Sequence, residues 1–160
     1  MTITSVDKDL KALTMTITAQ FNAPIERVWE MWENPRLLER WWGPPTYPAT
    51  VVDHDLSPGG GVSYFMTGPE GDGPHGWWRI VAVDAPRRLE FESGLADDLG
   101  EPKIDMPTMM VRVDFDEGAG GDTRMVIVTA FPSLEAMEQM LSMGMEEGSR
   151  SAVAQIDDIL

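Results

Sequence analysis

The clearest helical period in the chain lies between residues 133 and 160. Leu134, Met137, Leu141, Met145, Gly148, Ala152, Ile156 and Ile159 recur at steps of three and four, which places them on one helix face. The spacing predicts one continuous helix of about seven turns, with Glu135, Glu138, Glu147, Arg150, Asp157 and Asp158 mostly off that face. Pro132 and Ser133 suit its start, because Pro disfavours helix just before it and Ser can cap free backbone N–H groups. Such a stripe has to be buried against another layer.

Upstream the period is two. Leu13, Met15, Ile17, Ala19 and Phe21 alternate with Thr14, Thr16, Thr18 and Gln20, the pattern of a half-buried strand. Asn22-Ala23-Pro24 then opens a helix with Ile25, Val28, Trp29 and Trp32 on its apolar face. Asn34-Pro35 breaks it, and 36–42 is a second short helical piece ended by Gly43-Pro44-Pro45. Six strands follow, at 50–56, 62–67, 76–83, 89–92, 108–115 and 123–131, separated by Gly- and Pro-rich turns. The longest loop is expected at 94–107, and residues 1–10 read as a loose N-terminal extension. Strands joined by short turns pair antiparallel. The expectation is an α+β fold in one domain, 1–160: a curved antiparallel sheet of about seven strands wrapped around a long C-terminal helix, with two short helices after the first strand.

Composition narrows the function. A net charge of −15, from 27 acidic and 12 basic residues, argues against nucleic acid and against an anionic membrane surface as partners. There is no cysteine, which removes disulfides and thiolate metal sites and fits a reducing compartment. With no leader and no apolar run near the about 18 residues that span a bilayer, a cytoplasmic location is expected. Twelve methionines and six tryptophans suit an interior that adapts to more than one shape.

Strand parity supplies candidate ligand-binding residues. Tyr64 and Met66 share a face with Val62; Trp78 and Ile80 share another, with Trp77 as the alternative to Trp78. Phe91 pairs with Leu89, Met109, Val111 and Val113 make a longer row, and Ile127 and Thr129 belong to the last strand. Facing the long helix, through Met137, Leu141, Gly144, Met145 and Gly148, these rows form either a filled core or the wall of a cavity. Trp32 and the adjacent pair Trp41 and Trp42 complete the set; two neighbouring indoles cannot both point the same way, so one packs inward and one lies near the rim. Tyr64, Trp78 and Thr129 bring the polar atoms that could orient a guest. Gly144 and Gly148 each cost a helix about 1 kcal/mol relative to Ala. They mark either close packing on the sheet or room for a ligand.

No catalytic constellation is found. There is no cysteine nucleophile and no Gly-x-Ser-x-Gly, and the turn at 58–61 lacks the Lys-Ser/Thr of a phosphate loop. His54 and His75 are the only histidines, without zinc spacing, and both are expected at the surface or in a hairpin. No metal and no cofactor are assigned.

Several stretches, in this order and spacing, carry a resemblance. They are Phe21-Asn22-Ala23-Pro24-Ile25-Glu26-Arg27-Val28-Trp29, Trp41-Trp42-Gly43-Pro44, Asp55-Leu56-Ser57-Pro58-Gly59-Gly60, Pro86-Arg87-Arg88-Leu89, Met106-Pro107-Thr108-Met109 and Gly144-Met145-Glu146-Glu147-Gly148. From about Leu13 onward the chain resembles the START-like (SRPBCC, helix-grip) superfamily, and within it the AHSA1-like family named after the activator of Hsp90 ATPase. Ser57 stands where that family often has Arg, and Ser149 where many members have Trp. The resemblance implies a deep cavity between helix and sheet; it does not imply a shared reaction. It points to binding of an apolar or aromatic small molecule, lipid or polyketide-like, with a cyclase or hydrolase in the same cavity as one alternative. The other alternative is an Hsp90-type chaperone-interaction module. Because 160 residues leave no room for the co-chaperone's separate N-terminal domain, a chaperone partner is not expected; a homodimer is compatible with the sequence.

Overall fold

The alternating segments become eight strands in a computed structural model that describes residues 3–160. They are β1 (Ile3–Asp9), β2 (Thr14–Phe21), β3 (Ala49–His54), β4 (Gly61–Met66), β5 (His75–Asp84), β6 (Arg88–Ala96), β7 (Met109–Glu117) and β8 (Thr123–Ala130). All pairings are antiparallel, in one sheet of order β1-β2-β8-β7-β6-β5-β4-β3. The chain leaves β2 and reaches the far edge at β3 through α1 (Ile25–Glu33) and α2 (Pro35–Leu38).

The expected loose end is corrected over 3–9: this stretch is an edge strand, paired with β2 from Ile3↔Ala19 to Asp9↔Thr14. Its mixed polarity hid it, because an edge strand carries charged residues that keep other chains from pairing with it. Met1 and Thr2 lie outside the described residues. β6 also runs on to Ala96, and an isolated Ala96↔Pro102 bridge tightens what was expected to be a loop from 94.

The expected single C-terminal rod is corrected too. It is three pieces: α3 (Leu134–Ser142), α4 (Met145–Ala154) and α5 (Ile156–Ile159). Gly144 sits at φ +87°, a left-handed conformation that ends α3, and α4 starts afresh beyond it. Ser133 caps α3 by accepting a hydrogen bond from the Ala136 N–H at 3.0 Å. Where α4 meets α5, the Gln155 amide donates to the carbonyls of Trp41 (3.2 Å) and Gly43 (2.7 Å), tying this end of the helices to the segment after α2. Among the described residues no helix is long and apolar enough to cross a membrane.

One half of the sheet's inner face is solidly filled. Trp32, fully buried, has the rings of Trp41, Trp42, Trp78, Phe91 and Phe115 around it at centroid distances of 4.8 to 6.4 Å. Trp78 stacks on Phe91 at 4.1 Å, and Trp29 meets Phe115 edge-on at 5.4 Å, which seats α1 on β7.

Pro35 and the Asn34 cap explain two of the polar contacts here. Pro35 has no N–H to give the Met31 carbonyl four residues back, and the Trp41 indole N–H donates to it instead at 2.9 Å. The Arg36 N–H is spent on the Asn34 side chain (2.9 Å), so the Trp32 carbonyl is met by His54 Nε2 at 3.0 Å. A carbonyl only accepts, so that nitrogen carries the proton. His54 is therefore half-buried and structural, which corrects its expected place at the surface. His75 is half-buried as well, tilted against Phe65 at 5.6 Å with Nε2 4.0 Å from Asp98.

Candidate ligand-binding cavity

The other half of the inner face is not filled. Between it and α3–α4 lies a cavity of about 550 Å³. Its floor comes from inward residues of β2 (Met15, Ile17), β8 (Ile127, Thr129), β7 (Met109, Val111), β6 (Ser93, Leu95) and β4 (Tyr64, Met66). Its roof is Met140, Met143, Gly144, Met145, Gly148, Ser149, Ala152 and Val153, and its side is Trp41, Trp42, Pro44, Tyr47, Pro74 and Gly94. Tyr47 and Met143 line it and are also exposed to solvent, which marks the entrance.

The void has a sequence cause. A Cβ built on Gly144 or Gly148 would meet nothing within 4 Å. The two glycines therefore leave room over the sheet rather than letting backbone pack on it. Six of the chain's twelve methionines line the space, giving it soft, adjustable walls.

Its polarity is confined to a few neutral groups. No Asp, Glu, His, Lys or Arg is among the lining residues. Tyr64 is buried, and burial raises its hydroxyl above the ordinary tyrosine pKa, with the nearby Trp42 and Trp78 indoles pulling the other way. Those two indole N–H groups are themselves buried without a hydrogen bond of ordinary geometry. Among the described residues no three His, Cys, Asp or Glu side chains are grouped as a metal site requires. A second depression, along the β1–β2 hairpin, is lined by exposed Asp7, Lys8, Asp9 and Lys11 and suits solvent rather than an apolar guest.

The candidate residues divide between the two halves of the sheet. Trp41, Trp42, Tyr64, Met66, Met109, Val111, Ile127, Thr129, Gly144, Met145 and Gly148 line the cavity. Trp32, Trp78, Ile80, Phe91, Val113, Met137 and Leu141 do not; they pack in the filled core or against it. Strand parity reports which face a residue is on, not how far along the strand the void extends. Val113 and Ile80 lie on the correct face at the closed end. Met137 and Leu141 were placed by a continuous rod, and the break at Gly144 brings Met140 and Met143 to the cavity instead. Of the adjacent indoles, Trp41 is fully buried and Trp42 half-buried; Trp78 faces in, while Trp77 is half-buried on the other side with its N–H donating to the Leu95 carbonyl at 3.1 Å.

Met15 and Ile17 were missed although the alternation of the first strand already put them inward. Ser93 and Leu95 were missed because this part of β6 reads as loop. Pro44, Tyr47 and Pro74 come from connections whose course no periodicity describes.

The model of the family described as "Activator of Hsp90 ATPase homolog 1-like protein" matches residues 22–160. The chain belongs to this family. Several solved structures are similar to this chain. Protein Ms6760 from Mycobacterium smegmatis is 49% identical over 99% of this chain and 96% of its own, with a TM-score of 0.91. A protein from Arthrobacter aurescens is 47% identical over 98% of this chain and 90% of its own, with a TM-score of 0.93. DynU16, described as a putative protein in the dynemicin biosynthetic locus, is 19% identical at a TM-score of 0.63 and shares the fold alone. No curated protein matches the chain significantly. The match corrects one expectation. Chain length had argued against a chaperone partner, but the family is defined by likeness to an activator of Hsp90 ATPase, and that argument does not stand.

Proposed function

We propose that this protein binds an apolar or aromatic small molecule, lipid or polyketide-like, in the cavity between sheet and C-terminal helices. The observation that carries the reading is a void of about 550 Å³ walled by methionine, aliphatic and aromatic side chains with only neutral polar groups. Transfer of an apolar guest from water gains roughly 25 cal/mol for each Å² buried, and a few polar atoms set its orientation. Acid–base chemistry in the same space lacks a carboxylate or histidine on the wall, so binding is preferred to a cyclase or hydrolase reaction. An environment-sensitive apolar fluorophore should bind near one to one and quench tryptophan emission, since Trp41 and Trp42 line the cavity. Absence of saturable binding by the folded protein refutes the proposal.

The family description favours a second reading, interaction with an Hsp90-type chaperone. Its test is the ATP hydrolysis rate of the purified chaperone with and without this protein. An unchanged rate removes it.

A further inference from the structure

We propose that Tyr64 donates a hydrogen bond to an acceptor oxygen of the guest, so that the cavity selects neutral apolar molecules bearing a carbonyl or ether oxygen over hydrocarbons and over charged lipids. The inference rests on the ligand-binding reading above and names the chemistry of the ligand that reading requires.

Three features of Tyr64 support it. First, the ring is held in place. Tyr64 of β4 is paired with Gly76 of β5, and a Cβ on Gly76 would lie 2.2 Å from the tyrosine hydroxyl oxygen. The ring therefore occupies the gap that a glycine leaves, with Trp42 and Trp78 set edge-on to it at 6.0 and 6.5 Å. Second, the polar groups beside it are donors: the indole N–H groups of Trp42 and Trp78, whose rings flank the tyrosine and which are buried without an acceptor of their own. Third, its own proton has no acceptor among the described residues, although the side chain is buried and lines the cavity. The hydroxyl opens on the cavity, so its proton is available to an acceptor on the guest.

Charge sets the other half of the selectivity. With no Lys, Arg or His on the wall, a carboxylate guest would be buried without a counter-ion; with no Asp or Glu, an ammonium would be too. Of the other lining hydroxyls, Ser93 on β6 and Thr129 on β8 are two and four strands away from Tyr64, at about 4.8 Å per strand, while Ser149 is in the roof and Tyr47 at the entrance. Tyr64 thus stands at one end of the floor, and a single acceptor at one end of a guest is enough to set its direction.

The test uses probes of one shape: benzophenone, diphenylmethane and diphenylacetate, titrated calorimetrically into the wild-type protein and into Tyr64→Phe. The wild type should bind the ketone about threefold to tenfold more tightly than the hydrocarbon, the range of one neutral hydrogen bond. Diphenylacetate should bind most weakly. In Tyr64→Phe the advantage of the ketone over the hydrocarbon should vanish. The carbonyl stretch of bound benzophenone should lie at lower frequency in the wild type than in the variant, a readout that altered packing alone would not move. Equal binding of ketone and hydrocarbon by the wild type, which needs no variant, overturns the proposal and leaves cavity binding intact. So does a ketone advantage that survives in Tyr64→Phe. Failure of all three probes, together with the larger fluorophore, removes the ligand-binding reading and this inference with it.

Discussion

Gly148 offers the sharpest test of the void. It lies inside α4, its N–H bonded to the Gly144 carbonyl at 2.9 Å, and its missing side chain would point into open space with nothing within 4 Å. Unlike Gly144, it has no left-handed φ to protect. Replacing it with Ala therefore removes the helix penalty of glycine, about 1 kcal/mol, and meets no clash. For a chain of this size that raises Tm by about 2–4 °C. Gly148→Leu keeps most of the propensity gain and pushes a branched side chain into the cavity. Its fold should survive while its affinity for the apolar fluorophore drops by about tenfold or more. Thermal unfolding followed by circular dichroism reads the first effect and a fluorescence titration the second. A Gly148→Ala variant destabilised by about 1 kcal/mol or more would mean that backbone packs against this helix face and that no void exists there. A stable Gly148→Leu that binds the fluorophore as the wild type does would place the probe elsewhere.

Three further outcomes follow from the same structure. Gly144→Ala loses no contact but forces an L-residue into φ +87°, so it should cost about 1–2 kcal/mol in urea unfolding; a neutral result would mean that the α3–α4 break can straighten. Trp41→Phe deprives the Met31 carbonyl of the donor that Pro35 cannot supply, and should cost about 3 kcal/mol from the unmet acceptor plus lost volume; a loss below about 1 kcal/mol would count against that bond. Lys8 holds the Glu146 carboxyl below its usual pKa, chiefly by their hydrogen bond and helped by Arg150. Because the folded pKa is depressed, this contribution is present above the unfolded carboxylate pKa and is lost as pH falls through the folded one. Lys8→Met should therefore flatten the decline of the urea midpoint on acidification, and an unchanged pH profile would show that the pair is not linked to folding.

What the sequence determined by itself is whatever depends on near neighbours along the chain. The period-two rows from Leu13 onward, the Asn34-Pro35 break and the Ser133 cap were all legible, because alternation, a missing N–H and a capping hydroxyl act within a few residues. The motifs from Phe21 to Gly148 were enough to indicate the family. Parity also put Tyr64, Met109, Val111, Ile127 and Thr129 on the inner face. The tertiary structure alone decided which part of that face is empty. The closed half is filled by Trp32 and the rings around it, from elements far apart in the chain, and no local pattern records where that filling stops. The break at Gly144 was equally hidden: a glycine in a helical pattern is compatible with a continuous rod, and its left-handed turn shows only in the folded chain. With that turn, Met140 and Met143 roof the cavity in place of Met137 and Leu141. Periodicity assigns a side chain to a face, whereas a cavity is a deficit of volume summed over every element that meets there.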